Sequence, residues 1–257
     1  WLDKDWFSSG LVNLEELDLD SCVGVVELAQ ATTTNTTTKG GYLLSGLLKL
    51  ERLVLAGLNL SSGQLESRFL FSTYRELAHL DLSRNRLTWL SHTLFVCNVQ
   101  LVELNLRHNL LSAVPDLDQL VYLRTLDIGF NRFAGELAVS KAMRMRCLRA
   151  DGNRVERVRF SYASLQSLTE CVDLGFNVVL SEVAADDGHA LDPRHVRLQG
   201  NRVARLPELL FTQTSSVLKA SRTLALDLSG NCLAEQLSDD AAAPRLFAPL
   251  ANLERLN

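Results

Sequence analysis

The chain has 257 residues, of which 47% are hydrophobic and 22% charged, with a formal net charge of -4. That balance supports a sizeable folded core and excludes the basic surplus typical of nucleic-acid or anionic-membrane binders. No uninterrupted apolar run approaches the roughly 18 residues a membrane helix needs, so no direct membrane insertion is expected.

The opening stretch "WLDKDWFSSG" has neither a basic n-region nor an apolar h-region, so no signal peptide is expected within the chain. At Leu14 a nine-residue pattern begins, "LEELDLDSC", ending at Cys22. An insertion over 29–41 follows, and it contains "ATTTNTTTKGG", in which six threonines surround Asn35. The leucine pattern resumes at once with "YLLSGLLKLERL", so the insertion is read as a loop from one repeat and not as a linker between domains. The second copy is "LERLVLAGL", ending at Leu58.

The next three copies, "LAHLDLSRN", "LVELNLRHN" and "LRTLDIGFN", fit L-x-x-L-x-L-x-x-N and end at Asn85, Asn109 and Asn131. Looser copies end at Asn153, Asn177, Asn201 and Asn231, and a tenth breaks off after "LERLN". The starts fall at 14, 50, 77, 101, 123, 145, 169, 193, 223 and 253, and the array is expected to continue beyond this chain. In most copies positions 4 and 6 are apolar and positions 3, 5 and 7 polar, the alternation of a short strand with one buried face. Such a strand is unstable alone, but stacked copies share one core.

The Asn at position 9 is placed to bond turn backbone groups that would otherwise be buried without partners. Cys22 and Leu58 cannot do this equally well, so the first two turns are expected to be looser. Apolar residues recur after each Asn, as Leu87, Leu90 and Phe95 and again as Val203, Leu206 and Phe211, to fill the space behind the sheet. Those return segments are too short for full crossover helices, so extended or 3₁₀ turns are expected.

These copies resemble the leucine-rich repeat family over nearly the whole chain. The resemblance implies an α/β solenoid, residues 1–257 forming a single domain. It would be a horseshoe with a concave parallel sheet of about ten short strands and a convex side of loops, 3₁₀ turns and short helices. It also implies that strand positions 2, 3, 5, 7 and 8 face outward and that partners meet the concave face or its rim.

Position 5 reads Asp18, Val54, Asp81, Asn105, Asp127, Arg149, Asp173, Arg197 and Asp227, with strict sign alternation from repeat five to nine. One reading is a recognition strip in which Arg149 and Arg197 meet an acidic partner. The other is a self-neutralising ladder that keeps the sheet stacked. Arg124, Arg146 and Arg194 make repeats five to eight locally basic, with His195 beside Arg194, whereas Glu15, Glu16, Asp18 and Asp20 make the first repeat acidic. Phe130 and Phe176 share position 8, as interface anchors or as residues packed on the rim.

The five cysteines form no CxxC pair and suggest neither a disulfide scaffold nor a zinc site. Cys147 and Cys171 share position 3 of adjacent repeats. Their Cα separation would suit a disulfide, but parallel Cβ vectors at strand spacing sit wider than a usual bridge, so two free thiols are expected.

No nucleophile-elbow, zincin, P-loop or dinucleotide motif is present, and the histidines lack metal-ligand spacing. "AADDGHALD", Ala184 to Asp192, lacks the ligand spacing of a calcium loop and reads as an irregular solvated loop. The expectation is a non-enzyme with no cofactor and no metal.

Two binding-module readings remain open. Repeats of 22 to 24 residues with occasional longer ones look like Toll-like receptor or chaoptin-type ectodomains. That implies an extracellular or cell-surface setting and a protein ligand or receptor partner, and allows a homodimer through the array. The 22-residue repeats and the unpaired cysteines look more like a cytoplasmic scaffold or regulatory subunit. Two N-x-[ST] sequons, at Asn35 and Asn59, lie where a glycan would be accessible, and with the variable repeat length they favour the first.

Overall fold

The computed structural model describes residues 11–22, 47–68, 71–139, 145–160, 167–177, 180–185, 193–204, 222–234, 247–248 and 252–257, with the single residues 44, 206, 238 and 250 between them. The chain divides into two compact units, Trp1–Leu123 and Arg124–Asn257.

In the first unit each repeat contributes one three-residue strand: β1 (Glu16–Asp18), β2 (Arg52–Val54), β3 (His79–Asp81) and β4 (Glu103–Asn105). They pair in parallel without a register slip, so Glu16, Arg52, His79 and Glu103 form one cross-strand row. Leu53, Leu80 and Leu104 lie at the buried centre of their strands, and Leu55, Leu82 and Leu106 are buried two residues on. That is the alternation of positions 4 and 6 expressed as packing.

The return side of this unit holds α1 (Ser62–Arg68) and a 3₁₀ turn over Phe71–Thr73. The helix start is written locally as S-x-x-Q. The Ser61 backbone N–H donates to Gln64 Oε1 at 2.9 Å, and the Gln64 N–H donates back to Ser61 Oγ at 3.4 Å. This is a capping box. Phe71, Tyr74 and Phe95 pack edge to face behind the strands.

The second unit repeats the strand scheme with β5 (Thr125–Asp127), β7 (Cys147–Arg149), β9 (Cys171–Asp173), β11 (His195–Arg197), β12 (Ala225–Asp227) and β13 (Arg255–Leu256). Their registers place Asp127, Arg149, Asp173, Arg197 and Asp227 in one row, and Thr125, Cys147, Cys171, His195, Ala225 and Arg255 in another. Its return side is extended, as expected of segments too short for crossover helices, and goes further by pairing. β6 (Ala134–Val139), β8 (Arg154–Phe160) and β10 (Glu182–Ala185) form a second parallel sheet in the order β10-β8-β6. Leu137, Val155, Val158, Phe160 and Val183 are buried from it, while Arg157 and Arg159 stay exposed near Glu136, each at 3.9 Å. The return path has become extended enough to pair with its neighbours, which satisfies backbone groups that a loop would leave to water.

The asparagines stand where each strand ends. Asn85, Asn109, Asn131, Asn153, Asn177 and Asn201 are all buried, and Asn231 is half-buried. In Asn177, Nδ2 donates to the carbonyls of Leu174 in its own repeat and Ala150 in the previous one, at 2.9 and 3.1 Å. Its Oδ1 accepts the Val155 N–H at 3.1 Å. Asn85, Asn109, Asn153 and Asn231 repeat this arrangement. In the two repeats without Asn, Leu58 is buried as an apolar plug and Cys22 is exposed.

One backbone feature recurs at position 8. Ser21, Gly57, Arg84, His108, Phe130, Gly152, Phe176, Gly200 and Gly230 all have φ between 51° and 67°. The left-handed turn directs the position-8 N–H onto the position-7 carbonyl of the next repeat, as in Phe130 to Asp151 (2.7 Å) and Gly152 to Gly175 (2.8 Å). Side-chain residues occupy this conformation at a cost that the repeated bond offsets.

Candidate functional site

The strand face of the second unit brings together most of the residues singled out by sequence. Asp127 and Asp173 are only 7% and 8% exposed, against the outward position expected of them. Each works in two directions. Oδ1 of Asp127 accepts the Gly129 N–H and Oδ1 of Asp173 accepts the Gly175 N–H, closing the strand's own end. The other oxygen faces a guanidinium: Arg149 lies 3.9 Å from Asp127 Oδ2, and Arg197 lies 3.3 Å from Asp173 Oδ2. Asp18, Asp81 and Asp227 close their strands in the same way.

The consequence is a separation of exposed from covered charge. The side chains of Arg149 and Arg197 are 45% and 59% exposed, while those of their carboxylate partners are 10% and 11% exposed. Arg146 pairs with Glu170 at 3.6 Å. Arg124 and Arg194 are exposed and have no carboxylate within ion-pair distance among the described residues. His195 is exposed, with Nδ1 3.4 Å from the Glu170 carbonyl. The groups that reach solvent here are therefore mainly cationic.

Burial pushes the Asp173 carboxyl above its ordinary value, and the neighbouring Asp151 charge adds to this, while the Gly175 N–H and Arg197 oppose it. The folded protein thus holds the Asp173 proton more tightly than the unfolded chain. The stability this group contributes is greatest in acid and declines as pH rises through its raised value. At Asp227 burial also raises, but the hydroxyl and N–H of Ser229, the Asn257 amide and the Arg255 charge together outweigh it, and the carboxyl lies below its ordinary value.

Phe130 and Phe176 border this face, 40% and 52% exposed. Each ring covers the glycine at position 8 of the next repeat. A Cβ on Gly152 would stand 3.0 Å from the Phe130 ring, and one on Gly200 would stand 2.8 Å from the Phe176 ring. The alternation of Phe and Gly along position 8 is thus a fit of size, and each ring offers its outer face to solvent. Asp151, buried at position 7, and Glu170, the partner of Arg146, also belong to this face, and sequence reasoning did not single them out.

The expectation of two free thiols is corrected here: Cys147 and Cys171 form a disulfide. In-register pairing of β7 with β9 brings their Cα atoms to 4.5 Å, within the span a bridge can close. The Cα separation was compatible with a bridge throughout, and the parallel Cβ directions assumed for neighbouring strands did not prevent it. Cys22, Cys97 and Cys232 are free thiols.

In the first unit, His79 Nδ1 lies 3.1 Å from Glu103 Oε2. Asn59 is exposed, and Asn35 lies outside the described residues, as does most of Ala184–Asp192. Among the described residues no group of three His, Cys, Asp or Glu side chains could hold a metal ion, and no helix is long and apolar enough to cross a membrane.

A family model described as "Leucine rich repeat" matches residues 75–133. No curated protein matches the chain. Among solved structures, the leucine-rich repeat domain of APL1B is 16% identical, with 93% of this chain and 68% of that one covered and a TM-score of 0.61. The LRIM1/APL1C complex is 18% identical over 83% of this chain and 40% of that one, with a TM-score of 0.59. The functional domain of InlJ from Listeria monocytogenes, which includes a cysteine ladder, is 15% identical over 92% and 54%, with a TM-score of 0.51. This chain therefore spans from 40% to 68% of the length of these three, and at such identities the likeness is one of fold. Residues 75–133 are leucine-rich repeats by sequence, and the fold of this chain is the leucine-rich repeat solenoid.

Proposed function

We propose that the chain is a non-catalytic protein-binding module, part of a receptor-type extracellular array, that takes an acidic partner on the strand face of its second unit. The observation that carries this reading is the uneven exposure of charge. Asp127 and Asp173 are covered, while Arg149, Arg197, Arg124 and Arg194 reach solvent on the same strand face, whose border carries the exposed rings of Phe130 and Phe176. Exposed cations steer an acidic partner, and flanking aromatics supply area that can be desolvated at low entropic cost. The solved LRIM1/APL1C complex supports partner binding by this fold.

The double variant Arg149→Glu/Arg197→Glu is expected to weaken capture of the partner by about tenfold or more, while the thermal unfolding profile stays within a few degrees. The measurement is affinity capture from native extract followed by titration of the captured protein. Unchanged affinity would assign both arginines to the stacking ladder alone. The extracellular setting is tested separately: Asn59, exposed just past β2, is expected to carry a glycan when the chain is exported from a secretory host. Export of folded protein with a bare Asn59 would favour the cytoplasmic scaffold.

A further inference from the structure

We propose that the Cys147–Cys171 bridge is a thiol–disulfide exchange site, opened by thiol reductants that attack Sγ of Cys171. Three observations meet here, none of which depends on the partner-binding reading.

The bridge is redundant with strand pairing. β7 and β9 are already in register at Leu148–Val172 and Arg149–Asp173. The N–H groups of Cys171, Ala150 and Gly152 already bond to Arg146, Asp173 and Gly175 across the same pair of repeats. Opening the S–S bond therefore leaves the native sheet its own means of holding together, and both redox states are compatible with the fold.

The two sulfurs are unequal. Cys147 is 4% exposed, whereas Cys171 is half-buried and stands next to exposed His195 in the cross-strand row. Exchange proceeds at the sulfur an incoming thiolate can reach.

The surroundings are cationic. Arg146 and Arg194 precede the row by one position, and Arg149 and Arg197 follow it by two on the same strands. The carboxylates of Asp127, Asp173 and Glu170 are each engaged by one of these guanidiniums, and Arg194 is free of any ion pair among the described residues. Such a setting favours the approach of an anionic thiolate and stabilises the thiolates released.

In the first step the reductant's thiolate bonds to Cys171 Sγ. The Cys171–Cys147 bond breaks, its electron pair passes to Cys147, and water supplies the proton. A second reductant thiolate then displaces Cys171, which is protonated in turn. Two electrons and two protons arrive on the pair, and two reductant thiols become one disulfide.

The test uses the oxidised full chain under native conditions, reduced glutathione as the probe, N-ethylmaleimide as quench, and peptide mass mapping. The expected trapped species carries glutathione on Cys171 and maleimide on Cys147, in excess over the reverse species by about tenfold or more. Arg194→Glu is expected to slow adduct formation about threefold, since it sets a negative charge against an anionic attacker. A purely structural bridge would open only with denaturant, and that result overturns the proposal. So does an adduct shared equally between the cysteines, or an Arg194→Glu rate equal to wild type.

Discussion

Replacing Asn177 with alanine is expected to lower the stability of the second unit by about 3 kcal/mol, measured as a shift of the urea midpoint at constant slope. The side chain is 0% exposed. It is the shared partner of the Val155 N–H and of the Leu174 and Ala150 carbonyls. Alanine leaves the Val155 N–H buried without a partner, which costs about 1–3 kcal/mol, while the Leu174 and Ala150 carbonyls each lose one bond but keep the Nδ2 groups of Asn201 and Asn153. Aspartate is no rescue, because it keeps an acceptor for Val155 but cannot donate to the two carbonyls and brings a buried charge. Asn231→Ala, at a half-buried position, should cost about 1–2 kcal/mol. Equal losses at the two sites would show that burial does not set the value of the ladder.

The second large effect lies in the disulfide. Cys171→Ser is expected to destabilise the oxidised protein by about 3 kcal/mol, since a closed loop of this length removes about that much free energy from the unfolded ensemble. The linked cysteines are 24 residues apart in sequence. In thermal unfolding the loss corresponds to about 10 °C for a unit of this size. Reduced wild type and Cys171→Ser should then unfold together, because strand pairing in the native state is the same in both. If the reduced wild type matches the oxidised form, the bridge does not constrain the unfolded chain.

The repeats were legible because their causes are local. A strand residue's side is set by the two-residue period, so Leu53, Leu80 and Leu104 could be assigned to the core before any coordinates. The amide of Asn is short, neutral and both donor and acceptor, so its recurrence at a strand end points to turn carbonyls and N–H groups. The return path was less legible. In "RVERVRF" Val155, Val158 and Phe160 are not strictly alternating, and the pairing of β6 with β8 shifts register between Gly135 and Glu136. A short segment with a broken period does not announce a sheet.

The candidate site was legible only in outline. The row from Asp127 to Asp227 follows from the repeat starts. Which of its members reach solvent does not, because exposure at position 5 depends on the side chains of adjacent strands and on the turn that each carboxylate closes. The Phe–Gly fit at position 8 is of the same kind. The order of residues marks Phe130 as a rim aromatic, but its fit to Gly152 exists only once the left-handed turns place one ring over the next Cα.

By itself, then, the amino-acid order determined the repeat phase, the buried strand positions, the asparagine ladder and the rows of residues that face one another, since each follows from periods and hydrogen-bond valences within a few residues. Tertiary structure alone decided that Cys147 and Cys171 are joined, that Asp127 and Asp173 are covered while their arginines are not, and that the return segments of the second unit pair as a sheet. Those outcomes depend on which groups the stacked repeats bring side by side and on what packs over each of them, quantities that a linear pattern does not carry.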